Sequence, residues 1–235
     1  MGKYTDLFFD LDNTLWDFQA SSVYALKKIF QQYDLSRYFQ SFDEFLSIYE
    51  TINNQLWDQY RKAQIDKDKV AIGRFLQTLN KKGVNNVGLA QNLSDSYLAY
   101  MTEKTFEEPG ASETVMELHK RGYRLHIITD GFFEVQIIKI RLLGISQYIA
   151  QMIVSEEIGV LKPNPKLFEY AVKKANARID KSVFIGDDFK NDIIGARNVG
   201  LAQVFYNRKH LPKESLPFPP DYVIDSLPEL LQIFQ

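Results

Sequence analysis

The segment Tyr4-Thr-Asp-Leu-Phe-Phe-Asp-Leu-Asp-Asn-Thr14 is the stretch from which the fold of this chain is inferred. Its first half, from Tyr4 to Phe9, is short, apolar and aromatic, which is typical of a buried strand. The strand is predicted to stop at Asp10, and Asp12 follows two positions later. Residues two apart in an extended chain point to the same side, so the two carboxylates should lie close together. They repel each other unless a cation or a shared proton relieves the repulsion.

Beyond residue 110 the chain alternates between apolar runs and amphipathic helical patterns. Helices are predicted over Ser112–Arg121, Phe132–Leu143 and Asn164–Asn176. Such alternation is the signature of a parallel sheet with helices on both faces, so the predicted class is a Rossmann-like α/β core. The strands predicted after the first one are Arg124–Thr129, Gln151–Ser155, Ser182–Ile185, Ala202–Phe205 and Tyr222–Ile224.

Residues 17–107 have a different pattern, with helical periodicity and no convincing strand. We therefore predict an all-α domain over 17–107, inserted after the first strand of a core formed by 1–16 and 108–235. Helices of this insertion are expected near 18–33, 41–61, 67–80 and 88–105.

The composition excludes several classes of function. The chain has 235 residues, a net charge of −2 and no cysteine, which excludes thiol catalysis, disulfides and cysteine-bound zinc. Its lysines and arginines are scattered, so we expect neither nucleic acid nor a membrane surface as a partner. Met1–Asp6 lacks the pattern of a signal peptide, and no apolar run is long enough to span a membrane. We expect a cytoplasmic monomer or homodimer.

Three further polar clusters follow predicted strands. Thr129-Asp130-Gly131 opens a helix, where a hydroxyl and exposed amides can hold a phosphate. Lys162 lies in a loop stiffened by two prolines, which would fix the direction of its ammonium group. Gly186–Asp192 packs three acids into a strand-to-helix turn. Each cluster alone also has an ordinary explanation as a helix cap or as surface charge.

Taken together, the four clusters complement one another. They offer paired carboxylates, a hydroxyl with amides, a fixed lysine and more carboxylates, all at the ends of strands. Ligands of open α/β sheets bind at the carboxyl ends of the strands. This combination is what phosphoryl transfer requires: a nucleophile, metal ligands, charge neutralisation and positioning.

In order and spacing these residues resemble the haloacid dehalogenase (HAD)-like hydrolase superfamily over essentially the whole chain. The helical insertion resembles the cap domain of its subfamily I. The segments Ile127–Phe132 and Ser155–Asn164 are similar to the bacterial pyrimidine 5′-nucleotidase branch. The resemblance implies a phosphatase that hydrolyses small phosphomonoesters, with nucleoside 5′-monophosphates as the expected substrates.

The resemblance also implies roles for individual residues. Asp10 is expected to be the nucleophile that becomes an aspartyl phosphate. Asp12 would protonate the leaving oxygen and then activate the hydrolytic water. Lys162 would complete the catalytic set by neutralising negative charge. The substrate phosphate would be bound by Thr14, Thr129, Asp130 and Gly131.

The expected cofactor is Mg²⁺. It would be held by the carboxylates of Asp10 and Asp187 and by the backbone carbonyl of Asp12. Asp192 would orient Lys162 or a metal-bound water. Asp188 could reach the metal through water, and the sequence leaves open which of the two neighbours, Asp187 or Asp188, is the direct ligand. The branch usually has Asn at position 130, and a carboxylate there would repel phosphate, so only the backbone amide of Asp130 is expected to bind it.

Other functions share parts of the same residue pattern. A sugar-phosphate phosphatase or a phosphomutase would share the same catalytic set. A dehalogenase would need neither the second acid Asp12 nor a metal. A non-catalytic binding protein would be expected to have lost a catalytic position, and none is lost. Aromatic side chains near or within the insertion could stack on a nucleobase or pack in a core, and these are Trp16, Phe18, Trp57 and Tyr60.

Overall fold

The computed structural model describes residues 3–235. Met1 and Gly2, which belong to the segment used for the signal-peptide expectation, lie outside the described residues. The chain divides into two compact units. One contains the described residues up to Phe18 together with Thr105–Gln235, and the other is Gln19–Lys104. The second unit therefore begins and ends a few residues inside the predicted limits of 17 and 107.

The unit Gln19–Lys104 is helical. Its helices are α1 (Phe18–Gln32), which starts one residue before the unit, α2 (Phe42–Arg61), α3 (Lys67–Ala71), α4 (Gly73–Asn80) and α5 (Val87–Met101). They pack through aromatic rings: Phe75 lies 5.2 Å from Tyr49 and 5.6 Å from Tyr97 between ring centroids. The single helix predicted over 67–80 is instead two helices, broken just before Gly73. Glycine is a poor helix former, which accounts for the break.

The other unit, which we call the core unit, contains one parallel sheet. Its strands are β1 (Asp6–Phe9), β2 (Arg124–Thr129), β3 (Ile149–Val154), β4 (Ser182–Gly186), β5 (Ala202–Tyr206) and β6 (Tyr222–Ile224). The spatial order is β3-β2-β1-β4-β5-β6, with every neighbouring pair parallel. The strand order reverses around β1, so the carboxyl ends of β1, β2 and β4 meet at a topological switch point, where such sheets bind ligands.

Helices cover both faces of this sheet, as the sequence pattern predicts. They are α6 (Ala111–Lys120), α7 (Phe133–Leu142), α8 (Pro165–Lys174), α9 (Ile194–Asn198) and α10 (Leu230–Ile233). Alternation along β1 divides its side chains between two cores. Leu7 and Phe9 pack in one apolar cluster with residues of α6 and α10, and Phe8 packs in another with residues of α8. Within the described residues, no helix combines the length and the apolar composition needed to cross a membrane.

Asp6, a buried acid at the amino end of β1, connects this strand to β2 through polar contacts. Asp6 contacts His126 at 3.1 Å and Arg124 at 3.2 Å, and Thr5 donates a hydrogen bond to it at 2.7 Å. Burial tends to raise the pKa of Asp6, but the hydrogen bonds from His126 and Thr5 outweigh burial and hold that pKa below its ordinary value. The folded protein therefore favours the ionised form of the Asp6 carboxyl group.

Asp6→Asn is accordingly expected to lower the free energy of unfolding by about 1–3 kcal/mol at neutral pH. A depressed carboxyl pKa contributes stability that is complete above the unfolded value of about 3.9 and is lost as the pH falls through the folded value. Urea unfolding of both proteins across a pH series measures this difference. It should shrink in acid, and a difference that stays constant to low pH would contradict the role given to Asp6.

Candidate active site

Asp10 follows β1 directly, and backbone hydrogen bonds hold the turn after it. The Asp10 amide donates to the carbonyl of Ile185 in β4 at 2.9 Å. The amide of Trp16 donates to the carbonyl of Leu11, also at 2.9 Å. Asn13 lies inside this turn with a φ of 64°, a left-handed conformation that asparagine tolerates better than most residues. The turn therefore fixes the direction in which the Asp10 carboxylate points.

Lys162 lies between two buried carboxylates. Its Nζ is 2.5 Å from Asp10 Oδ1 and 2.7 Å from Asp192 Oδ1, and the residue is only 4% exposed. The contact with Asp192 is the one that the predicted orienting role of that residue requires. A surface lysine would have neither this burial nor these partners. The structure thus brings the ends of β1 and β4 together around one ammonium group.

The chain after β4 bends sharply so that Asp192 reaches back toward the strand. Gly186 ends β4, and a Cβ at that position would lie 2.3 Å from Asp192 Oδ2, so a larger residue would displace Asp192. Phe189–Ile193 forms a π-helical turn rather than an α-helical one. Turns of this kind are frequent at functional sites.

The two neighbouring acids Asp187 and Asp188 are used differently. The Asp188 carboxylate caps the π-helical turn: it accepts hydrogen bonds from the amides of Lys190 at 2.9 Å and Asn191 at 3.0 Å. Asp188 is also exposed. Asp187 instead points a carboxylate oxygen into a cluster with oxygens of Asp10 and Asp192. The geometry therefore favours Asp187 over Asp188 as the candidate metal ligand.

The electrostatics of this cluster are dominated by negative charge. Burial raises the pKa of Asp10, the nearby Asp192 adds to the rise, and Lys162 opposes it only in part. The resulting pKa is about 7. Burial, together with the charges of Asp10 and Asp192, raises the pKa of Asp187 to about 9. Burial lowers the pKa of Lys162, but the facing carboxylates outweigh burial and hold it well above its ordinary value. One ammonium group is thus surrounded by more carboxylates than it can neutralise.

This donor set fits a hard divalent cation. Asp10, Asp187 and Asp192 each offer a carboxylate oxygen, and all three oxygens lie within 4.8 Å of one another. Oxygen ligands with concentrated negative charge are what Mg²⁺ prefers in proteins. The carbonyl of Asp12 as a further ligand stays a prediction.

The end of β2 supplies a hydroxyl group. Thr129 is 1% exposed, and its Oγ1 accepts hydrogen bonds from the Gly131 amide at 3.1 Å and from Gln136 Nε2 at 2.7 Å. With both acceptor positions used, the Thr129 hydroxyl hydrogen remains available to donate to a phosphate oxygen. Gly131 makes this arrangement possible, since a Cβ there would lie 1.8 Å from Gln136 Nε2.

Two of the residues predicted to bind phosphate use their side chains for other contacts. Asp130 Oδ1 accepts a hydrogen bond from the backbone amide of Lys162 at 3.0 Å, which helps to place that lysine. The expectation that the Asp130 side chain avoids phosphate is consistent with this contact. Thr14 is fully buried, and its hydroxyl donates to Asp10 Oδ2 over 3.4 Å. The Thr14 hydroxyl thus contacts the candidate nucleophile, Asp10.

Sequence reasoning did not identify the residues that hold Asp12. Lys139 forms an ion pair with Asp12 Oδ1, and Gln136 Nε2 donates to Asp12 Oδ2 at 2.9 Å. Both residues lie on α7 and are buried. Their signal in the sequence was the helical spacing, since Gln136 and Lys139 share the face that carries Val135 and Ile140.

Arg208, after β5, is another residue that the sequence did not single out. Its guanidinium group donates to Asn13 Oδ1 at 2.8 Å and pairs with Glu108 at 2.6 Å. Tyr206 also donates to Glu108, at 3.1 Å. Arg208 therefore ties the turn that follows Asp10 to the segment by which the chain re-enters the core unit.

Comparison with known proteins shows the family. The model of the haloacid dehalogenase-like hydrolase family matches residues 7–205. The pyrimidine 5′-nucleotidase YjjG of Escherichia coli is 29% identical over 98% of each chain. The glyceraldehyde 3-phosphate phosphatase of Pyrococcus furiosus is 31% identical over 100% of this chain and 95% of its own. Among solved structures, the HAD-hydrolase YfnB from Bacillus subtilis bound to magnesium superposes with a TM-score of 0.86 at 26% identity, over 99% of both chains.

The matched region includes all four strand ends that carry the candidate site residues. Trp16, for which base stacking was considered, is fully buried and packs against Phe106 at 6.0 Å between ring centroids. Fold, site and family match agree: this chain belongs to the haloacid dehalogenase-like hydrolase family.

Proposed function

We propose that this chain is a phosphatase that hydrolyses small phosphomonoesters through an aspartyl phosphate on Asp10. One observation carries the proposal. A buried carboxylate, Asp10, is held at 2.5 Å from the Lys162 ammonium and beside two further carboxylates, at the switch point of the sheet. A carboxylate nucleophile beside a fixed cation and a candidate metal site is the arrangement that phosphoryl transfer needs.

The proposed chemistry has two steps. In the first, an Asp10 oxygen bonds to phosphorus while the bond from phosphorus to the ester oxygen breaks. The ester oxygen keeps the electron pair, takes the proton of the Asp12 carboxyl group and leaves as an alcohol. In the second, water attacks the phosphorus of the aspartyl phosphate and gives a proton to Asp12, and the bond to Asp10 breaks. Inorganic phosphate leaves, and both residues return to their initial states.

The other residues of the site would position the reacting groups and neutralise the negative charge of the phosphate. Thr129 would donate its hydroxyl hydrogen to a phosphate oxygen, with the amides of Asp130 and Gly131 nearby as further donors. Lys162 would hold Asp10 in place and offset the charge of the phosphoryl group. Mg²⁺ held by Asp10 and Asp187, when bound, supplies positive charge that neutralises the phosphate oxygens. The helical unit Gln19–Lys104 is proposed to correspond to the cap domain of subfamily I.

We propose nucleoside 5′-monophosphates as the substrates, and the similarity to the pyrimidine 5′-nucleotidase of Escherichia coli over 98% of both chains supports this choice. A sugar-phosphate phosphatase is the second candidate. The similarity to the glyceraldehyde 3-phosphate phosphatase of Pyrococcus furiosus, 31% identical over the whole chain, favours it. Both candidates use the same chemistry and differ in the alcohol that leaves.

A substrate panel tests this proposal. Phosphate release is measured with Mg²⁺ present for the nucleoside 5′-monophosphates and for a set of sugar phosphates. We expect the highest kcat/KM with pyrimidine nucleotides. Equal rates across all nucleotides, together with faster turnover of a sugar phosphate, would contradict the nucleotidase proposal. Isomerisation of a sugar phosphate without phosphate release would instead indicate a phosphomutase.

Removal of the metal provides a separate prediction. Dialysis against a chelator is expected to abolish phosphate release, because the positive charge that neutralises the phosphate oxygens would then be missing. Adding Mg²⁺ back should restore the rate. The same treatment should leave the far-ultraviolet circular dichroism spectrum unchanged, since the two apolar clusters that pack against the sheet contain none of the candidate metal ligands. Full activity in the chelated protein would contradict the assigned metal site.

A further inference from the structure

The buried face of α7 carries two long polar side chains where apolar ones would pack more simply. Gln136 is 0% exposed and Lys139 is 1% exposed, and they lie three positions apart, so they share one side of the helix. Burying an ammonium group is unfavourable unless it is paired and hydrogen-bonded. The ion pair that Lys139 forms in this structure is with Asp12. Both side chains therefore direct their polar groups to a single acid.

The two contacts take opposite oxygens of that acid. Lys139 pairs with Oδ1 of Asp12, whereas Gln136 donates to Oδ2 at 2.9 Å. The Gln136 amide nitrogen has two hydrogens, and the second is directed to Thr129 Oγ1 at 2.7 Å. One amide group thus joins the candidate acid and base to the candidate phosphate-binding hydroxyl. Oδ2 is consequently the Asp12 oxygen on the Thr129 side.

The Gln136 amide has a specific orientation, although that orientation is unfavourable for one of its own atoms. Gln136 Oε1 is buried and accepts no hydrogen bond from any residue in the range 3–235 that the structure describes. Turning the amide over would place that oxygen against the Asp12 carboxylate and would remove the hydrogen bond that Asp12 Oδ2 accepts. Gly131 has no Cβ, and one would collide with the Gln136 amide. The amide is therefore held in this orientation by the hydrogen bond that it donates to Asp12 Oδ2.

We propose that Lys139 and Gln136 are positioning residues that hold the Asp12 carboxyl group in its working orientation through both steps of phosphoryl transfer. This inference rests on the proposed function. The first step needs the proton on Asp12 and the second needs it off, yet an oxygen of a carboxyl group accepts a hydrogen bond in either state. Lys139 and Gln136 can therefore keep the group in place while its proton comes and goes.

The test uses the full chain with Mg²⁺ and the variants Lys139→Met and Lys139→Arg. Substrates are phenyl, p-nitrophenyl and dinitrophenyl phosphate, which are similar in size but differ in how much their leaving oxygen needs a proton. Because kcat/KM reports the step that releases the alcohol, Lys139→Met should lower it about 100-fold for phenyl phosphate, as expected for a misplaced catalytic group, and far less for dinitrophenyl phosphate. Lys139→Arg should recover most of the rate.

A double-mutant cycle separates positioning from mere stability. If Lys139 acts through Asp12, adding Lys139→Met to Asp12→Ala should cause no further loss. Gln136→Met, which also removes the unpaired amide oxygen, is the second variant should Lys139→Met fail to fold. Lys174→Met is the matched control, because it breaks an ion pair with Glu157 in the core unit without touching the site. It should retain the wild-type rates.

Three results would overturn the inference: wild-type or faster turnover by Lys139→Met, an equal loss with all three esters, or losses that add to those of Asp12→Ala. In the Gln136→Met protein, wild-type rates would have the same meaning. A failure of the proposed function is distinguishable from these, since it would appear as absent phosphate release in the wild type or as normal release by Asp12→Ala.

Discussion

Asp10→Asn is expected to lower phosphate release by about 10⁴-fold or more, as removal of a covalent nucleophile does in other enzymes. The amide has nearly the shape of the carboxylate but cannot attack phosphorus. The loss should appear in kcat with every substrate, because no ester can bypass the nucleophile. Measurement of inorganic phosphate with Mg²⁺ and a nucleoside monophosphate determines it.

The fold of this variant should be intact. The amide oxygen of the substituted side chain can still accept the hydrogen bond from Lys162, and the amide NH2 group can donate to the Thr14 hydroxyl oxygen in place of the present contact. The substitution also removes one carboxylate from beside Asp187 and Asp192. We therefore expect a free energy of unfolding at least equal to that of the wild type. Turnover close to the wild-type rate would show that Asp10 is not the nucleophile.

Lys162→Met should have the second-largest effect on activity, about 10²–10³-fold in kcat, which is the range for loss of one group that stabilises transition-state charge. Lys162 is the ammonium group that faces both Asp10 and Asp192. Removing one partner of a buried ion pair also destabilises a protein by about 3–5 kcal/mol. Steady-state kinetics and urea unfolding measure the two effects separately.

A second variant separates stability from catalysis in this case. Combining Lys162→Met with Asp192→Asn removes one carboxylate together with the ammonium group. This protein should regain much of the lost stability, since less negative charge is left unpaired, but its rate should stay low. Recovery of activity together with stability would mean that Lys162 serves only to hold the fold.

The sequence allowed the positions of the strand ends to be predicted because each combines two signals. An apolar run such as Arg124–Thr129 marks the strand, and the polar residue after it marks the edge of the sheet. The structure places β2 over those same residues. The family resemblance links Asp10, Lys162 and Asp187, which lie far apart in the chain.

Side-chain partners were harder to predict. A lysine inside a helical pattern normally faces solvent. The spacing that places Lys139 on the apolar face of its helix was therefore not enough to predict that it is buried against Asp12. Which of the neighbours Asp187 and Asp188 points into the site depends on the π-helical turn, and a one-residue difference in helix geometry leaves no clear mark in the sequence. The contact of Asp130 with the Lys162 amide likewise arises only when two loops meet.

The break between α3 and α4 was not predicted, for a reason that concerns the backbone and not the side chains. The apolar periodicity over 67–80 continues through Gly73, so the pattern predicts one helix. Periodicity reports which face is buried, whereas a single poor helix former can interrupt the backbone without changing that face. Such interruptions are therefore difficult to predict from spacing alone.

The most direct test of the account is to find the phosphoryl group on the enzyme. The wild-type protein is mixed with substrate and Mg²⁺, quenched in acid within one turnover and treated with borohydride, which converts an aspartyl phosphate to homoserine. Peptide mass spectrometry then identifies the converted residue. We predict conversion at Asp10 alone and none in Asp10→Asn. Turnover without any converted residue, or conversion at Asp12 or Asp187, would contradict the proposed nucleophile.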